Sequence, residues 1–369
     1  MSDPRILKFA EILVDHSARI QPGDRVAIES PTTALPLVEA LYDKILERGG
    51  HPQLLIALPD QNERLFKYAS NAQLDFTPAF QKFAYDNFES RIRIHAETNP
   101  RALTNVDPKL QARRKGALAP ILQTQMKRGA EKVFKWVTTL YPTEAYAQEA
   151  GMPFKEYQDF VYRSCFADDS TNDPTAEWFK FKTRQQQFID YIQGKEKVEI
   201  HGPNVDLSLS IKGRIFKNSF GEHNMPDGEI YTGPVEDSVN GWVRYTYPAI
   251  FDGRIVEGVE LTFKDGKVTQ ASAKTNQDFL LEMLDTDPGA RYVGEFAVGT
   301  NYNIDRFIGH ILFDEKIGGS FHMALGAGYP ETGSHNKSKI HWDMICDLRT
   351  DSEIVLDGEV IYRNGEFII

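Results

Sequence analysis

Cysteine is nearly missing from this chain. Its 369 residues contain only Cys165 and Cys346, far apart and without CxxC spacing. That pair argues against both a disulfide framework and a thiolate zinc site, so any metal here would be held by oxygen and nitrogen. Long apolar runs are missing too, and Met1-Ser2-Asp3-Pro4-Arg5 is not a basic stretch leading into an apolar one. The expectation is a cytoplasmic protein that does not enter a membrane. Positive charge is in deficit: 42 Lys and Arg against 53 Asp and Glu leave a formal net charge of -11. Phosphate recognition needs clustered cations, so a nucleic-acid partner is not expected, whereas an acidic lining suits cations. Without a GxGxxG or Walker-type loop, nucleotide binding has little support.

What remains is the composition of an ordinary globular protein, 41% hydrophobic and 26% charged, which can bury a substantial interior. The length suggests two domains. In the first half, residues 25–29 read as a strand, 34–48 as a helix stopped by Gly49-Gly50, and 53–57 as the next strand. That is a βαβ unit, repeated more loosely by a strand at 90–95 and a helix at 108–128 that Pro120 interrupts. Residues 142–193 have helical spacing, with Thr143 as N-cap and Glu144 in the first turn. Periodicity changes from helical to alternating just after Gly194-Lys195-Glu196-Lys197, which sets the expected boundary between domains 1–193 and 194–369.

Beyond it the chain is rich in strands. Asp265-Gly266, Asp357-Gly358 and Asn364-Gly365 each separate two strand-like segments, and such pairs suit tight hairpins because both positions tolerate positive φ. A helix is expected at 276–284. The fold class expected is therefore an N-terminal α/β domain followed by a mainly antiparallel β domain. The apolar stretch 76–88 is read as core.

The second half also holds the chemistry. In an extended strand, His341 and Asp343 project from one face while Trp342 turns to the other. Six of the nine histidines lie between His201 and His341, and the suggestively placed carboxylates are Glu229, Glu257, Glu295, Glu315 and Asp343. Two histidines with three or four carboxylates form a ligand set for zinc, cobalt, manganese or magnesium, and a pair of ions would suit it. Each residue alone has a plainer reading. His341 and Asp343 fit a solvated strand face, His322 a core histidine, the glutamates a surface, and Tyr329 a packing position at a turn.

The residues in order carry more than each does alone. Trp136 through Pro142-Thr143, Cys165 with Asn172-Asp173-Pro174 and Trp178, and His223-Asn224-Met225-Pro226-Asp227-Gly228-Glu229 with Thr232 form one series. Gly294-Glu295, Phe313-Asp314-Glu315, His322-Met323-Ala324-Leu325-Gly326 with Tyr329, and His341-Trp342-Asp343 complete it. This series resembles the aminopeptidase T and aminopeptidase S family of metallopeptidases, the thermophilic aminopeptidases, over nearly the whole chain. The resemblance implies Glu229, Glu295, His322, His341 and Asp343 as ligands of two divalent ions, with Glu257 in reserve for the first position. It implies Glu315 and Tyr329, with Glu295, as catalytic machinery, and short peptides with a free N-terminus as substrates. It further implies a homodimer whose N-terminal domain restricts access. Two departures stand out: the Glu315 to His322 spacing is longer than expected, and the stretch from Tyr329 to His341 is shorter. The alternatives are an amidase acting on non-peptide substrates, a non-catalytic metal-binding protein, and a structural protein with a surface acidic cluster.

Overall fold

The structure, a computed structural model, describes residues 3–251 and 253–369. Two compact units divide the chain. One comprises the residues up to Trp178 together with Gly221–Pro226, and the other Phe179–Phe220 with Asp227–Ile369. The helix Pro174–Ile192 runs from one unit into the other, so the compact units part earlier than the change of periodicity at residue 194.

The first unit is built on a parallel sheet in the order His51–Ala57, Arg25–Pro31, Ser90–His95, Lys135–Leu140, Asn224–Met225. The helix Leu35–Glu47 makes the crossover, its buried Leu37, Val38, Leu41 and Ile45 forming the apolar stripe that the sequence spacing predicts. The helix Pro108–Ala130 continues through Pro120. Residues 142–193 form the helices Glu144–Glu149, Phe154–Ser164 and Pro174–Ile192, and the Thr143 side chain caps the first by accepting from the Tyr146 amide at 3.3 Å. The expectation that 76–88 is core is corrected. Its helix, Ala79–Asn87, buries Ala84 and Tyr85 but leaves Phe80 and Phe83 exposed, because one face of a short helix is all that the sheet covers.

This unit also buries charge. The Arg93 guanidinium donates to Glu29 at 2.7 Å and to the Tyr85 hydroxyl at 2.8 Å, while Gln81 donates to the other Glu29 oxygen at 3.1 Å. Neighbouring Arg91 spends its guanidinium on the Val137 carbonyl, the Thr138 hydroxyl and the Gln125 side-chain oxygen. Burial would raise the Glu29 carboxyl, but Arg93 and Arg91 outweigh it and hold the group below its ordinary range.

The second unit is antiparallel, as expected. An eight-stranded sheet contains the hairpins whose turns, Asp265-Gly266, Asp357-Gly358 and Asn364-Gly365, all take positive φ at both positions. A five-stranded sheet runs in the order His341–Asp347, Ser320–Gly326, Val293–Gly299, Glu229–Thr232, Lys217–Ser219. One apolar cluster draws on both sheets, including Val198, Ile200, Val243 and Leu261 from the larger and Phe296, Val298, Phe321, Met323, Leu325, Trp342 and Met344 from the smaller. Each such side chain contributes about 1.5–3 kcal/mol when fully buried. The predicted helix is present as Gln277–Leu284.

Candidate metal centre

One face of the five-stranded sheet packs into that core, so alternation decides what the other face carries. On Ser320–Gly326, Phe321, Met323 and Leu325 belong to the core, which leaves His322, Ala324 and Gly326 on the opposite side. Ala324 lies opposite Asp343 and Gly326 opposite His341 on the next strand, while His322 lies opposite Ala297. Ala297 in turn faces Tyr231, and Gly299 faces Glu229. The functional face therefore alternates long polar side chains with Ala and Gly, and the small residues leave room above the sheet for the carboxylates and imidazoles to converge.

Glu295 reaches this face through a bulge. Val293 pairs with Leu325 and points to the core, and a regular strand would send Glu295 the same way. The register instead shifts between Val293 and Glu295, so that Glu295 pairs with Ala324 on the functional side. Gly294 is the extra residue. A Cβ there would lie 2.3 Å from the carbonyl oxygens of Gly326 and Ala327, so only glycine fits.

The convergence is tight. His322 Nε2 lies 3.3 Å from Glu229 Oε2 and 3.9 Å from Glu295 Oε1. His341 Nε2 lies 3.2 Å from Glu295 Oε2 and 3.4 Å from Asp343 Oδ1. Two triads result, Glu229–Glu295–His322 and Glu295–His341–Asp343, each with its ligand atoms within 4.8 Å of one another, and Glu295 belongs to both. The His341 Nδ1 is 2.8 Å from the Ala327 carbonyl, a contact that places the proton on Nδ1 and frees Nε2 as a ligand.

The electrostatics are those of a site short of positive charge. Burial, with the neighbouring carboxylates, pushes Glu229 well above the usual carboxylate range against the pull of Lys316, and burial likewise raises Glu295 and Glu315. Burial pushes His322 down, toward the neutral form that ligates. For His341 burial acts downward, but Asp343 and Glu295 outweigh it and raise the imidazole well above its ordinary value. Asp343, which burial would raise, is held by His341 at about 2. Glu229 Oε2 and Asp343 Oδ1 are buried without a hydrogen-bond donor. Buried carboxylate oxygens that lack a donor, with the Nε2 atoms of two imidazoles converging on them, are the donor set a hard or borderline divalent ion satisfies, so the residues fit a metal.

Glu315 and Tyr329 are at the same place. Glu315 follows the short helix Ile311–Asp314 and accepts from the Lys316 ammonium. The Tyr329 ring is 5.3 Å from the His341 ring and 5.4 Å from that of Tyr231. Burial, then Glu295, Asp343 and Glu315, raise the Tyr329 hydroxyl well above its ordinary value, so it remains a hydrogen-bond donor. Glu257 is elsewhere: it is exposed, its amide donating to the Thr275 hydroxyl, and it joins neither triad, which corrects its place in reserve. Two residues of the site are not singled out by sequence reading. Tyr231 shares the face of Glu229 by simple alternation, a signal that was available. Lys316 is fully buried with its Nζ 3.7 Å from Glu229 Oε1, and no periodicity announces a lysine in such a place.

A protein family described as thermophilic metalloprotease (M29) matches residues 2–367. The chain belongs to this family. Among its relatives, Aminopeptidase 2 of Geobacillus stearothermophilus is 28% identical, with 98% of this chain and 97% of the relative covered. The structure of wild-type AmpT from Thermus thermophilus covers 99% of both chains at a TM-score of 0.86 and 22% identity, which establishes the shared fold. A 2,5-dihydroxypyridine dioxygenase from Pseudomonas putida has the same fold more loosely, at a TM-score of 0.58 and 13% identity over 99% of this chain and 96% of that one. The fold of an M29 protein thus does not by itself specify the reaction, which depends on the residues the site carries. Among the described residues no helix is long and apolar enough to cross a membrane.

Proposed function

We propose that this M29 protein is a metalloaminopeptidase that removes N-terminal residues from short peptides, with two divalent ions held by Glu229, Glu295, His322, His341 and Asp343. The observation that carries this reading is that Glu295 belongs to both triads, so that Glu229 with His322 and His341 with Asp343 would each hold an ion beside it. Ions bound there would supply an acidified water and polarise the scissile carbonyl.

The rest of the chemistry falls to the chain's own groups. Glu315, raised by burial, accepts the proton of the attacking water and returns it to the leaving amine. Tyr329, kept protonated, donates to the oxyanion as the carbonyl becomes tetrahedral. His341 holds its ligating nitrogen in place through the Ala327 carbonyl. Zinc, cobalt, manganese and magnesium all suit the oxygen-rich set, and availability selects among them. The reading extends to a homodimer working in the cytoplasm, of which light scattering of the purified protein tests the first part.

The test is hydrolysis of aminoacyl-p-nitroanilides by purified protein before chelation, after it, and after each of the four metals is restored. Activity that disappears with chelator, returns with metal and ignores N-acetylated substrates is expected. Equal hydrolysis of N-acetylated substrates would indicate an amidase, and no hydrolysis with any metal would refute the enzymatic reading.

A further inference from the structure

Lys316 makes the two halves of the centre unlike. Its side chain has no solvent exposure, its Nζ stands 3.7 Å from Glu229 Oε1, and it donates to Glu315 Oε1. Among the described residues no Lys or Arg stands within ion-pair distance of Glu295 or Asp343, whose partners are the two histidines. The ammonium therefore stands at ion-pair distance from the carboxylate particular to one triad, and acts on Glu295 and Asp343 of the other only from farther away.

The charge is fixed in position. The Lys316 amide donates to the Phe313 carbonyl at 2.9 Å, and its own carbonyl accepts from the Asn301 amide at 3.2 Å. The next residues are wedged against the sheet: a Cβ at Gly299 would meet the Ile317 oxygen at 2.2 Å, and one at Gly318 would meet Tyr302 Cα at 2.6 Å. The backbone that carries the ammonium is thus held in place, and the side chain it bears is fully enclosed beside Glu229.

We propose that Lys316 is a built-in cation that ranks the two metal positions. The Glu295–His341–Asp343 position takes a divalent ion first and tightly. The Glu229–Glu295–His322 position takes its ion second and weakly, because the ammonium already neutralises part of Glu229 and repels a cation placed beside it. The inference rests on the two-ion reading above. Its consequence is an enzyme with one resident ion and one exchangeable ion, whose activity follows the free metal concentration.

The test is titration of chelator-stripped protein with cobalt alone, followed by calorimetry and by cobalt d–d absorption. Wild type is expected to bind in two separated steps. Lys316→Met removes the charge while keeping an unbranched side chain one atom shorter, and tightens the second step by about 10- to 100-fold, the range over which groups beyond the ligands alter metal affinity. Lys316→Arg keeps the wild-type pattern. Lys316→Gln serves as a second neutral variant should methionine fail to fold. A second step that is unchanged or weaker in a folded neutral variant overturns the proposal and leaves the two-ion reading standing. Wild type that binds no cobalt overturns both. A measurement without variants bears on the ranking as well: anomalous scattering from wild-type crystals at substoichiometric cobalt is expected at His341 and Asp343, and density first at Glu229 and His322 contradicts it.

Discussion

Two buried glutamates, Glu29 in the parallel-sheet unit and Glu295 in the antiparallel one, show how similar burial produces different chemistry. Glu29 is surrounded by donors: Arg93, Gln81 and the Tyr85 hydroxyl. Its carboxyl lies below its ordinary range, because Arg93 and Arg91 outweigh burial. Glu295 has two imidazoles for partners and other carboxylates for neighbours, and burial raises it. A completed ion-pair network maintains a fold, whereas a surplus of buried negative charge recruits something from outside. The contrast separates a structural cluster from a functional one without appeal to family.

The largest expected effect is at the shared ligand. Glu295→Gln should lower kcat/KM for an aminoacyl-p-nitroanilide by at least about 1000-fold, the upper end of what one lost transition-state donor removes. In chelator the same variant should melt at a higher temperature than wild type, since it removes a carboxyl that burial raises and whose ionisation near neutrality costs stability. A lower melting temperature in chelator would place Glu295 in the same class as Glu29.

Tyr329→Phe should cost about 100- to 1000-fold in kcat with metal content and KM little changed, because the role proposed for the hydroxyl is donation to the oxyanion. An equal loss of bound metal, read by elemental analysis, would make it a packing residue instead. Glu29→Gln should destabilise the protein by about 2 kcal/mol in urea denaturation, with metal affinity untouched. The figure is below that of a wholly enclosed pair because the Arg93 side chain is 38% exposed and partly screened.

The smallest effect is in the pH dependence, and its sign differs between the two glutamates. Glu29 is lowered in the folded state, so its contribution is complete above the ordinary carboxylate range and fades as pH falls through and below it. Glu295 is raised, so the metal-free protein loses stability as pH rises from the ordinary carboxylate range toward neutrality. In chelator, wild type should therefore exceed Glu29→Gln and trail Glu295→Gln at pH 7, and both differences should shrink toward pH 4. A gap to Glu295→Gln that widens on acidification would reverse the assignment of that carboxyl.

Much of this was legible in the residues. Hairpins at Asp265-Gly266, Asp357-Gly358 and Asn364-Gly365 followed from the need for positive φ, a local requirement that distant contacts rarely override. The His341-x-Asp343 pairing followed from strand alternation, and Trp342 does turn to the core. What stayed hidden depends on contacts distant in sequence. Glu295 faces the site because of a bulge at Gly294 that only its pairing with Leu325 and Ala324 reveals. Glu257, just past the strand Arg254–Val256, is exposed, and its backbone bonds to Lys274 and Thr275, outside both triads. Lys316 is enclosed by Phe313, Asn301 and two carboxylates from separate segments. The exposed Phe80 and Phe83 show the opposite error, in which apolar composition outran the surface available to cover it.

The proposed function depends above all on the sharing of Glu295 by a pair of ions. Anomalous diffraction from crystals of the wild-type protein saturated with zinc would reveal whether it is so shared. Two peaks flanking the Glu295 carboxylate, one beside Glu229 and His322 and the other beside His341 and Asp343, are the expected result. A single peak that leaves Glu295 uncoordinated, or zinc bound elsewhere on the chain, would contradict it.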